Sequence, residues 1–101
     1  MVIPTPQELV SWAKQNNFKF KQNSFGNEKC GCALTALCLM KNPGKFKVED
    51  VDFILRCFNL NAGMQFNIIR GFDSPYIPID EEYRNWGRSV YNLSKQEGIL
   101  L

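Results

Sequence analysis

The sequence predicts an all-α domain, a compact bundle of four to five short helices around a central apolar helix at about residues 30–41. Three observations carry that prediction. The run Cys30-Gly31-Cys32-Ala33-Leu34-Thr35-Ala36-Leu37-Cys38-Leu39-Met40 is apolar on nearly every side of a helix, broken only by Gly31 and Thr35. A surface helix shows one apolar stripe, so this pattern reads as a helix surrounded by protein. Helix start and stop signals bracket four further segments. Strand-like alternation occurs at Phe18-Lys19-Phe20-Lys21, which is too short for a sheet of its own and reads as an extended connector pinning two Phe side chains into the core.

The first helix opens at Thr5-Pro6-Gln7-Glu8. Thr5 suits the N-cap, Pro6 suits the first helical position, and Glu8 can close a capping box. Leu9, Val10 and Ala13 form the inner face, flanked by Trp12, and Asn16-Asn17 ends the helix. Ser24-Phe25-Gly26-Asn27 is a turn, with Asn27 as the N-cap candidate of the central helix. Asn42-Pro43-Gly44 stops that helix, because proline cannot continue the hydrogen-bond ladder.

A third helix is expected at about residues 48–58, with Glu49, Asp50 and Asp52 in its first turn and Val48, Val51, Ile54, Leu55 and Phe58 on one face. Residues 62–70 suit a short helix capped by Asn61 and ended by Gly71, or else a short strand. The helix is preferred, because a lone strand leaves its backbone groups unpaired. After a loop with two prolines, Asp80 is placed as the cap of a last helix at about 81–97. Tyr83, Trp86, Val90 and Leu93 line its inner face, Gly87 allows a close neighbour, and Gly98 is the stop.

Length and composition narrow the function. A chain of 101 residues suggests one domain with a modest core. No stretch approaches the roughly 18 apolar residues of a membrane span. The start Met1-Val2-Ile3-Pro4 lacks the pattern of a signal peptide, so a cytoplasmic location is expected. The absence of histidine removes the commonest general base and the commonest metal ligand. Charge is unevenly spread: residues 1–47 hold seven lysines against two glutamates, net +5, whereas residues 48–101 are net −3. The lysines read as a solvated face. A weak nucleic-acid surface in this half is an alternative, but no helix-turn-helix, zinc-finger or RNA-binding signature accompanies it.

Three groups of residues are chemical candidates. Cys30, Cys32, Cys38 and Cys57 follow the spacing C-x-C-x5-C-x18-C, unlike paired zinc knuckles, so buried structural cysteines are expected and neither metal nor cofactor. A reactive thiol at Cys30 or Cys32 is the alternative, since both lie near a helix N-terminus with Lys29 alongside. The stretch from Ser24 to Gly31, with two glycines and Lys29, has the makings of an anion cradle, though it reads more simply as a turn and a cap. The third group is Arg70 and Asp73 around the Gly71 turn, with Tyr76, Arg84 and Arg88. Arg84 and Arg88 are four apart on one helix face, and arginine with aromatic rings is the composition of a partner or ligand surface.

The helix Cys30 to Leu37 with its C-x-C-A-L-x-A-L pattern, then Gly71-Phe72-Asp73, then Tyr83 with Gly87, resembles a group of small bacterial and phage proteins. Those have a C-P-L-x-A-L-like helix, a G-F-D turn and a Y-x-x-x-G helix. Here Cys32-Ala33 stands in place of Cys-Pro. The resemblance covers roughly residues 30–90 and implies the helical fold without implying an activity. Together these readings favour a non-enzymatic binding or regulatory protein. Its partner would be another protein or a small anionic, nucleotide-like ligand, met through Lys29, Arg70, Asp73, Tyr76, Arg84 and Arg88. A phage-encoded inhibitor of a host system is one such protein. A symmetric homodimer is compatible with the chain.

Overall fold

In the computed structural model, which describes residues 3–101, five helices follow the order α1 (Pro6–Gln15), α2 (Ala33–Lys41), α3 (Val51–Arg56), α4 (Ala62–Asp73) and α5 (Glu82–Gln96). A 3-10 turn over Val48–Asp50 leads into α3. Two two-residue strands, β1 (Lys19–Phe20) and β2 (Cys30–Gly31), lie between α1 and α2. The fold is the all-α bundle that the apolar run implies. Its radius of gyration, 12.0 Å, is close to the ~13 Å of a compact chain of this length. Among the described residues, no helix is long and apolar enough to cross a membrane.

Helix α2 is the packing axis. Every residue from Ala33 to Leu39 is buried, and α1, α3 and α4 all pack against it. Fully burying one such leucine contributes about 1.5–3 kcal/mol, so Leu34 and Leu37 are among the largest single terms in the core. An aromatic chain crosses the same core. Trp12 meets Phe18 at 5.7 Å between centroids, Phe18 meets Phe20 edge-on at 5.3 Å, Phe20 meets Phe72 at 5.9 Å, and Phe72 meets Tyr91 at 6.4 Å. It ties α1, the 18–20 segment, α4 and α5 together.

Local signals place the helix ends. Thr5 and Glu8 form the expected capping box: the Thr5 hydroxyl accepts from the Glu8 N–H at 3.1 Å, and a Glu8 carboxylate oxygen accepts from the Thr5 N–H at 2.8 Å. Asn17 at φ 55° and Gly98 at φ 73° occupy the left-handed region just beyond α1 and α5. Asn61 caps α4, its side chain accepting from Met64 N–H at 2.9 Å.

Several boundaries differ from the sequence expectation. The central helix begins at Ala33, not Cys30, with Cys32 as its N-cap. Cys30-Gly31 is extended because it pairs in parallel with Lys19-Phe20, which therefore has the partner strand that its length did not suggest. Lys19 N–H donates to the Lys29 carbonyl at 2.9 Å, and Lys21 N–H to that of Gly31 at 2.8 Å. On the other side of β1 the Phe20 N–H donates to the Ile99 carbonyl, and the Leu101 N–H to that of Phe20, both at 2.7 Å. Asn27 is not the helix cap. Its side chain accepts from the N–H groups of Lys29 and Cys30 and closes the turn before β2.

The 48–58 segment is split. Val48 is exposed in the 3-10 turn, while Val51 and Leu55 carry the buried face of the short α3. Gly71 does not end α4, which runs on to Asp73. Glu81, not Asp80, caps α5, accepting from the Arg84 N–H at 2.8 Å.

Candidate functional site

The residues singled out from the sequence separate into two places. The first is the loop over residues 74–80, between α4 and α5. Arg88, one of the half-buried residues of α5, reaches back across it. Its Nε donates to the Pro75 carbonyl at 2.8 Å, and one terminal nitrogen donates to the carbonyls of Ile77 at 2.8 Å and Ile79 at 3.2 Å. The other terminal nitrogen donates to Asn85 Oδ1 at 2.6 Å. The planar fork of donors thus fixes three carbonyls of a segment that has no regular structure. Tyr76 stands on this braced loop, 82% exposed, with Ile79 at 44%.

Arg84, one turn earlier on α5, faces α4. Its Nε donates to Asn67 Oδ1 at 2.9 Å, and its guanidinium lies 5.9 Å from the centre of the Phe66 ring, which is itself 55% exposed. Both arginines are therefore held in the protein's own bonds rather than presented with every donor free. Lys29 is exposed and makes no hydrogen bond through its side chain among the described residues.

The second place is a cleft of about 360 Å³ lined by Asn23, Ser24, Phe25, Cys32, Ile69 and Asp73. It joins the loop after β1, the first turn of α2 and the last turns of α4. Asp73 lies here and forms no ion pair with Arg88. One oxygen of its carboxylate, Oδ1, accepts from the Asn23 N–H at 2.9 Å. The loop is further fixed by Gln22, whose side-chain amide donates to the carbonyls of Phe72 at 2.9 Å and Asp73 at 3.3 Å. Burial raises the carboxyl above its ordinary value, opposed by the Asn23 N–H and by the positive charge of Arg70.

Cys32 Sγ closes the floor, 3.7 Å from the Thr35 hydroxyl, which in turn donates to the Phe25 carbonyl at 2.6 Å. Burial pushes the Cys32 thiol up, against the pull of hydrogen bonds from Thr35 and Leu34 at the helix start. A nucleophilic cysteine needs the opposite shift, so this group sits as a protonated thiol at neutral pH. Cys38, inside α2, is pushed up by burial to about 12. Cys30 is half-buried beside Asn27, and Cys57 is exposed. Among the described residues no three acidic or cysteine side chains gather as a metal-ligand set.

The two glycines considered as an anion cradle have another use. A β-carbon on Gly26 would collide with the Cys30 carbonyl, and one on Gly31 with the Phe25 carbonyl. The pair lets the 23–27 loop lie directly on β2, which shapes one wall of the cleft. No protein-family model, no curated protein and no solved structure matches the chain.

Proposed function

We propose that the chain is a binding protein of the cytoplasm that engages a protein partner through the loop over residues 74–80. The observation carrying this reading is Tyr76, a large aromatic 82% exposed on a loop whose carbonyls Arg88 already holds. A side chain presented on a fixed backbone loses little entropy on association, and tyrosine is enriched among residues that dominate interface energies. Ile79 and Phe66, with Arg84 beside it, supply further exposed apolar surface on the neighbouring elements. A protein partner is favoured over a small anionic ligand because the Arg88 donors are engaged by backbone carbonyls. A phage-encoded inhibitor covering a host protein's surface is one function of this type.

Affinity capture from the cells that make the protein tests the proposal. A partner held by the wild-type chain is expected to be weakened about 30-fold or more by Tyr76→Ala, the scale of a hot-spot truncation. The exposed Gln15→Ala change, in the last turn of α1 where the neighbouring Lys14 pairs with Glu97 at the other end of α5, is the control and leaves capture unchanged. Equal recovery of the same partner by Tyr76→Ala and wild type would remove the loop from the interface.

A further inference from the structure

Among the described residues, the cleft combines apolar walls with a half-buried carboxylate. Phe25 and Ile69 supply the apolar surface, Asn23 and Ser24 the polar rim, and Asp73 the charge. Its volume, about 360 Å³, lies at the lower end of small-molecule sites, which run from roughly 300 to 1,000 Å³. The walls are preformed. Gln22 bonds to the backbone at the end of α4, the Asn23 N–H bonds to Asp73, and Thr35 holds the Phe25 carbonyl. Ordering the site on binding therefore costs little further entropy.

The carboxylate sets the ligand class. Asp73 Oδ1 is engaged by the Asn23 N–H, whereas Oδ2 has no hydrogen-bond or ion-pair partner among the described residues. The charged and titratable groups acting around it are Arg70, which lies on α4 one turn earlier and forms no ion pair with it, and the Cys32 thiol. We infer that this cleft binds a small organic cation, an ammonium group carried on a short aliphatic chain. The ammonium pairs with Asp73, and the chain lies against Phe25 and Ile69. An anion is excluded by the carboxylate, and a neutral apolar molecule leaves that carboxylate's free oxygen without a partner in a partly desolvated site. The cation can be a free alkylamine or the end of a lysine side chain, since the recognising chemistry is the same. This inference is independent of the Tyr76 surface, which lies on the following loop.

Amide NMR of the full chain titrated with n-butylammonium tests it, with butyrate and 1-pentanol, each one heavy atom larger, as the anionic and neutral controls and a Gly-Lys-Gly peptide as the lysine arm. Butylammonium is expected to shift the Asn23, Ser24, Phe25 and Ile69 signals saturably at about 1–10 mM, the affinity that five heavy atoms can reach. The controls leave those signals in place. Tighter binding of the peptide assigns the cleft to lysine side chains, and tighter binding of butylammonium assigns it to free amines. Asp73→Asn keeps the oxygen that accepts from Asn23 and removes the charge, so binding falls roughly tenfold or more. Ile69→Phe narrows the cleft without touching the carboxylate and weakens binding as well, which guards against a folding defect in the first variant. No saturable shift with either cation, an equal response to butyrate or 1-pentanol, or unchanged binding in both variants would overturn the inference.

Discussion

Gly71 and Gly87 face each other where α4 and α5 cross. A β-carbon on Gly71 would run into the Arg84 carbonyl of α5, and one on Gly87 into the Ile68 carbonyl and within 3.0 Å of the Phe72 amide nitrogen of α4. The obstacles are backbone atoms of packed helices, which cannot rotate away as a side chain does. Gly71→Ala and Gly87→Ala are each expected to destabilise the fold by about 1–3 kcal/mol or more, although alanine is the better helix former. Gly63, in the first turn of α4, is the internal comparison. Its added β-carbon would meet the Asn61 side chain at 3.4 Å, an ordinary contact, so Gly63→Ala is expected to be neutral or to stabilise by up to about 1 kcal/mol. Urea denaturation of the three variants checks the contrast, and an equal effect at all three positions would show that the crossing is not close. The role of Gly87 is legible in the sequence because it interrupts an apolar helical face. That of Gly71 is not, because a glycine closing an apolar run has the same local pattern as a helix stop.

At the scale of elements, the limits of the sequence are clearest between residues 18 and 33. The apolar run identifies the central helix, but its first three residues are extended because Cys30-Gly31 pairs with Lys19-Phe20. That pairing joins segments ten residues apart, and its second support comes from Ile99 and Leu101 near the other end of the chain. No local period records it. The cleft is hidden for the same reason. Asp73, Cys32 and the stretch holding Ser24 and Phe25 stand out in the sequence as separate candidates, whereas packing alone brings them together and adds Asn23 and Ile69. The arginine pair was legible from its four-residue spacing, but not its use: Arg88 braces a loop. Arg88→Ala is expected to lower stability by about 1–2 kcal/mol, since water can take over the freed carbonyls at this partly exposed site. Its distinctive signature is faster amide exchange at Ile77 and Ile79, whose N–H groups bond within the loop. Arg88→Lys restores the charge without the fork and recovers little of the protection. Unchanged exchange in both variants would show that the loop is held by its prolines alone.

The molecule as a whole contains no histidine, so no side chain of that type titrates between the carboxylates and the thiols, and stability is expected to form a plateau there. Its acid side is softened by opposing groups. Glu8 and Asp52 are held below their ordinary values by hydrogen bonds, from Thr5 and from Arg56 with Gln65, so their contribution is lost as pH falls through that range. Asp73 is raised, so the folded state takes up its proton first and gains stability as pH falls towards its ordinary value of 3.8, above the range in which Asp52 loses its contribution. The alkaline side has no such cancellation among the buried thiols. Cys38 is pushed up from 9.0 to about 12 by burial inside α2, and Cys32 is raised in the same direction. Between those two values the unfolded chain ionises Cys38 while the folded chain keeps the proton. Stability contributed by this thiol is complete below 9.0 and is lost as pH rises towards 12, with a limiting slope of about 1.4 kcal/mol per pH unit. A variant that lacks the thiol and is otherwise identical isolates its part. Below pH 9.0 Cys38→Ala is the less stable chain, because it leaves a small cavity in α2's packing. What distinguishes the thiol is the slope: above pH 9.0, urea midpoints of the wild type are expected to fall more steeply with pH than those of Cys38→Ala. Parallel slopes would mean that Cys38 ionises as freely in the folded chain as in the unfolded one, which a side chain enclosed on the central helix cannot do.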